Sequence, residues 1–139
     1  MKNRIKAGRK SERGQAVVEF ALILPLLLVL LLGILDFGWI FVNQYQAEKA
    51  AASAARYGSL NVNRYRDSSS RTAYLDGVRE RAAENLPESA DSGSAAVSVS
   101  VGSESVSVTV SFSVRTISFV GGMIYGPTYT AASTCVSSY

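Results

Sequence analysis

Ala16 to Val42 reads AVVEFALILPLLLVLLLGILDFGWIFV, and only Glu19 and Asp36 in it are charged. Within it, Phe20 through Leu35 is an uninterrupted uncharged run of 16 residues. Ala16 to Leu35 spans about 30 Å at 1.5 Å per residue, the thickness of a bilayer hydrocarbon core. Pro25 would kink or break the interior of a soluble helix. In a membrane, neighbouring groups satisfy the carbonyl it frees. The stretch predicts one transmembrane helix.

The flanks orient it. Residues 1–14 hold six basic side chains (Lys2, Arg4, Lys6, Arg9, Lys10, Arg13) against one acid, Glu12. The rest of the chain carries eight basic and ten acidic groups, so the overall charge of +3 belongs to a short tail. The positive-inside rule places that tail in the cytoplasm and residues 43–139 outside it. The apolar run is longer than a secretory signal core, and DFGWIFVNQ at its far end has no small-x-small cleavage site. A retained, single-pass anchor is expected.

Composition excludes several chemistries. There is no histidine and one cysteine, Cys135. Ser-His-Asp and Cys-His catalysis, histidine-containing zinc sites and an internal disulfide are thereby removed. Outside the tail no Lys/Arg stripe with interleaved aromatics suggests nucleic acid. The expectation is a non-enzyme with no cofactor, no metal, no nucleic-acid partner and no small-molecule substrate.

Beyond the span the helix is expected to continue to Gly58, read as a C-cap. Ala47, Ala51 and Ala55 recur every four residues, as do Ala50, Ala54 and Gly58. Such faces let another element approach closely, within the chain or outside it, although alanine is also the best helix former. Residues 59–70 read as a polar loop. A second helix is expected from Arg71 to Leu86, stopped by Pro87, with Leu75, Val78, Ala82 and Leu86 as its buried stripe. Its Asp76, Arg79, Glu80, Arg81 and Glu84 read as a solvated face.

After a linker at residues 88–94 the period changes to two. Val97, Val99 and Val101 alternate with serines. Past Gly102-Ser103, Val106, Val108, Val110, Phe112 and Val114 do the same. These are two half-buried strands, and a third is expected over Tyr129 to Val136. Ile117–Tyr125 (ISFVGGMIY) is too short for a second span. It reads as a core or helix-packing loop, with rest on the outer leaflet as the alternative. Cys135 reads as a small buried residue, an intermolecular disulfide being the alternative. The fold class expected is α+β: a long N-terminal transmembrane helix continuing outside the membrane, then a second helix packed on a three-stranded antiparallel sheet.

The string Arg13-Gly14-Gln15-Ala16-Val17-Val18-Glu19-Phe20 joins a basic leader ending in glycine to a carboxylate near the start of the span. It resembles the processing site of type IVb prepilins and pseudopilins. With Val18–Leu22, Leu24-Pro25, Asp36-Phe37-Gly38 and the alanine-rich Ala50–Gly58, the first 60 or so residues resemble the TadE-like family of tight-adherence (Flp-type) pilus systems. The chain departs from that pattern at Trp39, where an arginine commonly follows the glycine.

The resemblance implies a minor pseudopilin that is a substrate of a prepilin peptidase, cut between Gly14 and Gln15 in the cytoplasm. The implied division is a leader over 1–14, a transmembrane helix with its juxtamembrane extension over 15–58, and an extracytoplasmic α+β domain over 59–139. Implied partners are the peptidase, other pilins or pseudopilins, the inner-membrane assembly platform and the lipid bilayer. The implied location is the bacterial cytoplasmic membrane, with incorporation into a surface pilus as its extension. Glu19 and Phe20 would serve assembly. A carboxylate at the centre of a membrane helix costs roughly 2.5–3.5 kcal/mol on insertion scales and persists mainly where it has a partner. The new α-ammonium on Gln15 of one subunit is such a partner for Glu19 of the next; the alternative is Glu19 reaching the headgroup zone. Asp36, Phe37 and Trp39, with Phe41 and Tyr45, read as a membrane-interface belt in which Asp36 reaches water. A competing reading of the whole is an unprocessed, signal-anchored extracytoplasmic binding or structural protein.

Overall fold

A computed structural model describes residues 9–90 and 93–139, with side chains from Gly14 onward. The leader assigned to 1–14 therefore lies outside the described residues as far as residue 8.

Helix α1 runs unbroken from Arg9 to Leu60, 52 residues or about 78 Å. Pro25 sits inside it. The short helix α2 (Val62–Arg66) follows, and then helix α3 (Arg71–Ala83). Strands β1 (Ala96–Val101) and β2 (Ser105–Arg115) come next, then helix α4 (Phe119–Tyr125) and strand β3 (Thr128–Ser138). The sheet is an antiparallel meander in the order β1-β2-β3, with Val99 opposite Val108 and Val108 opposite Cys135. The architecture is that read from the sequence: a long apolar helix, then a helix and a three-stranded antiparallel sheet.

Alternation decides the sheet's faces. Val106, Val108, Val110, Phe112 and Val114 are buried along one face of β2. The other face carries Ser98, Ser100, Ser107, Thr109, Ser111 and Thr134, with the Thr109 and Thr134 hydroxyls 2.8 Å apart. Against the apolar face lies the second half of α1. Its Ala47, Ala50, Ala51, Ala54 and Ala55 are fully buried, and the helix touches β2, β3 and α3. Methyl side chains allow this approach because axis separation follows side-chain size at the contact. The second half of α1 is thus a central element of the domain's own core.

Three details differ from the sequence expectation. Gly58 is no cap. It lies within α1, where a Cβ would meet Tyr74 Oη and Val106 Cγ1, each at 3.0 Å. The buried Tyr74 hydroxyl donates to the Gly58 carbonyl at 3.1 Å, so glycine serves close approach here. The segment 59–70 contains α2, and α3 ends at Ala83, three residues short of Leu86. Its buried stripe is Tyr74, Val78 and Ala82, with Leu75 and Leu86 only packed against its margin. Finally, Ile117–Tyr125 is not a loop of core residues: Phe119–Tyr125 forms α4, which packs on α1 as the helix-packing reading expects, with Gly121 its one buried residue.

Candidate functional site

Two parts of α1 carry the candidate residues, and the chain treats them in opposite ways. In the first part, Val17 through Leu35 is exposed on every side, and none of its most apolar window is covered by the rest of the molecule. Gln15 and Glu19 are four residues apart and share one face of the helix. No ion pair or hydrogen bond joins Glu19 to another described residue. A Cβ on Gly14 would have nothing within 4 Å. Nothing in the described chain therefore requires glycine at that position. Phe20 points outward, as do the leucines that follow it.

The second part begins abruptly at Asp36, which is 3% exposed. It does not reach water as the sequence suggested. Its carboxylate accepts from the Ser118 backbone N–H (3.0 Å), the Ser118 hydroxyl and the Gly121 N–H (2.8 Å). Ser118 is also the N-cap of α4, its Oγ accepting from Val120 N and Gly121 N. A serine and a carboxylate thus share the orphan donors of one short helix, and the negative group sits at the favourable end of the helix dipole. Only glycine fits at 121, because a Cβ there would lie 2.6 Å from Asp36 Cγ.

One stripe of α1 continues this junction upward. Trp39 donates its indole N–H to the Arg115 carbonyl at 3.1 Å. Asn43, buried, donates to the Trp39 carbonyl and accepts from Ser89. Gln44 donates to the Ala132 carbonyl and accepts from Tyr129. Ala47, Ala51 and Ala55 complete the contact with the sheet. The aromatic belt accordingly divides. Trp39 faces the domain, whereas Phe37, Phe41 and Tyr45, at four-residue spacing, remain exposed. Asn43 and Gln44 were not singled out from the sequence. Asn43 lies seven residues from Asp36 and four from Ala47, on the stripe that runs into Ala50 and Ala54, which was the available signal.

A cleft of about 290 Å³ opens beside the junction, lined by Trp39, Ser89, Ser113, Val114, Arg115 and Thr128. Among the described residues its lining holds one cation and several hydroxyls. Cys135 is half-buried on β3, opposite Val108.

A single apolar helix of membrane-spanning length joined to a small α+β domain defines the class: a single-pass, membrane-anchored protein. Residues 14–56 match the family model described as TadE-like protein, the family the sequence resembles, and the match associates this segment with Tad pili. That family is typically structural and not enzymatic. No curated protein and no solved structure matches the chain.

Proposed function

We propose that the protein is a minor pseudopilin of a tight-adherence pilus, cleaved after Gly14 by a prepilin peptidase and drawn into pilus assembly or initiation by its apolar helix. The observation that carries this reading is the coincidence of the family match with an unpartnered helix. The match begins at Gly14 itself, and the apolar half of the matched segment packs against no other described residue. A helix that is apolar all round needs lipid or other helices around it. Both are available to a pilin, in the membrane before assembly and in the filament after it.

Cleavage replaces the basic leader with an α-ammonium on Gln15, one turn from Glu19. Glycine without a side chain suits the extended backbone a protease cleft requires. That backbone is helical here, so the first turns of α1 unwind to be cut. At 4 Å and an effective dielectric of 20, an ammonium–carboxylate attraction is about 4 kcal/mol before desolvation is subtracted. Pairing Gln15 of one subunit with Glu19 of its neighbour sets the axial register between them. Phe20 lies beside this pair, on the apolar surface offered to the neighbouring helix. The assembly platform and the other pilins are the partners, and the domain is a tip or spacer carried outside the membrane.

The test is incorporation. Wild type, Gly14→Val and Glu19→Ala chains are expressed in cells with the complete pilus system, and sheared surface fractions are compared with membranes. Wild type should reach the sheared fraction. Gly14→Val should stay in the membrane uncut, and Glu19→Ala should be cut yet at least tenfold depleted from the sheared fraction. Equal recovery of all three in membranes, with none in sheared material, would favour the unprocessed anchored protein.

A further inference from the structure

Helix α4 is built inside out for a core helix. Gly121 is buried against Asp36, while Phe119 is 84% exposed, Met123 80% and Ile124 67%. Ile117 and Tyr125 are also exposed, and no residue from Ile117 to Tyr125 is charged. Packed on α1 by its inward side, this seven-residue helix leaves its outward apolar surface uncovered by any other described residue. Its position says what the partner is. Asp36, which holds α4 by its Ser118 and Gly121 donors, directly follows Leu35, the last residue of the uncharged run. The clasp therefore fixes α4 at the level where the span leaves the hydrocarbon. Phe37 and Phe41 of α1 continue the exposed apolar surface at and above this level. Arg115, two residues before Ile117 and bonded through its carbonyl to Trp39, is exposed and in no ion pair among the described residues.

We propose that α4, with Ile117 and Tyr125 at its ends, is a membrane foot: an interfacial helix seated in the leaflet on the domain's side, with Arg115 at headgroup depth. Apolar side chains at an interface bury into the headgroup–acyl boundary, and the other side of α4 is closed against α1 by Gly121 and the Asp36 clasp. Asp36 is then a positioning residue. By clasping the α4 N-terminus it removes a carboxylate from lipid and holds the domain at one height and rotation over the membrane. The inference rests on the anchored-helix reading, and its test separates the two.

Single cysteines are placed in the full-length Cys135→Ser chain (Cys135→Ala if serine disturbs the sheet) at Leu27, Phe119, Met123 and Thr109. Each is spin-labelled and reconstituted into phosphatidylcholine–phosphatidylglycerol vesicles. Accessibility to oxygen and to a water-soluble nickel chelate gives depth. Leu27 should read deep in hydrocarbon, Phe119 and Met123 should favour oxygen over nickel at interfacial depth, and Thr109 should read as water. If Leu27 reads lipid while Phe119 and Met123 match Thr109, the foot is overturned and the anchor stands. If Leu27 also reads water, the anchor reading itself fails and the foot falls with it. If the α4 labels are shielded from both agents and broadened by spin–spin coupling, a second copy covers the helix and the lipid proposal is wrong.

Discussion

Gly121 and Gly122 are adjacent in α4 but face opposite demands. A Cβ on Gly121 would collide with the Asp36 carboxylate, whereas one on Gly122 would meet only Thr116 Oγ1, at an ordinary 3.6 Å. Gly121→Ala should therefore lower domain stability by about 1–3 kcal/mol through overpacking and loss of the clasp. Gly122→Ala should be neutral or mildly stabilising, since alanine is the better helix former by up to about 1 kcal/mol. Thermal unfolding of the two variants in the same detergent checks the contrast. Tyr74 gives a second residue-scale case. Tyr74→Phe removes the bond to Gly58 and should cost about 1 kcal/mol. Burial pushes the Tyr74 phenol above its ordinary 10.0, with Tyr139, Tyr65 and Tyr57 adding to the rise. Its contribution is full below pH 10 and is lost as pH climbs through the raised value. An alkaline titration of stability should show that loss in wild type and a smaller one in Tyr74→Phe.

At the scale of the element, α1 is one helix with two jobs. Before Asp36 its surface is left uncovered by the other described residues; from Asp36 to Leu60 one face is buried under the sheet and α3. The unfolding of the domain should register only the second part. Ala51→Leu should destabilise it by about 1–3 kcal/mol, because a fully buried methyl has no room to grow. Leu27→Ala should leave the domain's unfolding midpoint unchanged, and circular dichroism melts of both variants test this division. Continuity matters to the proposed function as well. A rigid helix that is both the assembly handle and a core element transmits the position of the apolar half to the domain without a hinge.

At the scale of the whole molecule, what was legible in the sequence followed from period and charge. The uncharged run named the span, and the two-residue alternation of Val97–Val114 named the strands, because burial on one face leaves that signature directly. The alanine stripe was visible at 47, 51 and 55, but only the fold shows that the sheet covers it. Less was legible where meaning depended on a distant partner. Asp36 looked like an acid near water because its donors, Ser118 and Gly121, lie more than 80 residues away. Gly58 looked like a cap because glycine ends helices as readily as it admits a neighbour's bulk. ISFVGGMIY reads equally as core, as helix packing or as a leaflet contact, because an apolar sequence is the same whether its side chains are covered or exposed.

The measurement that tests the central claim most directly is the intact mass and N-terminal sequence of the membrane-extracted chain, produced with and without a cognate prepilin peptidase. A chain beginning at Gln15 when the peptidase is active, and at the native start in its absence or in Gly14→Val, is the expected result. A chain that keeps residues 1–14 in the presence of an active peptidase would contradict processing, and with it the pseudopilin reading.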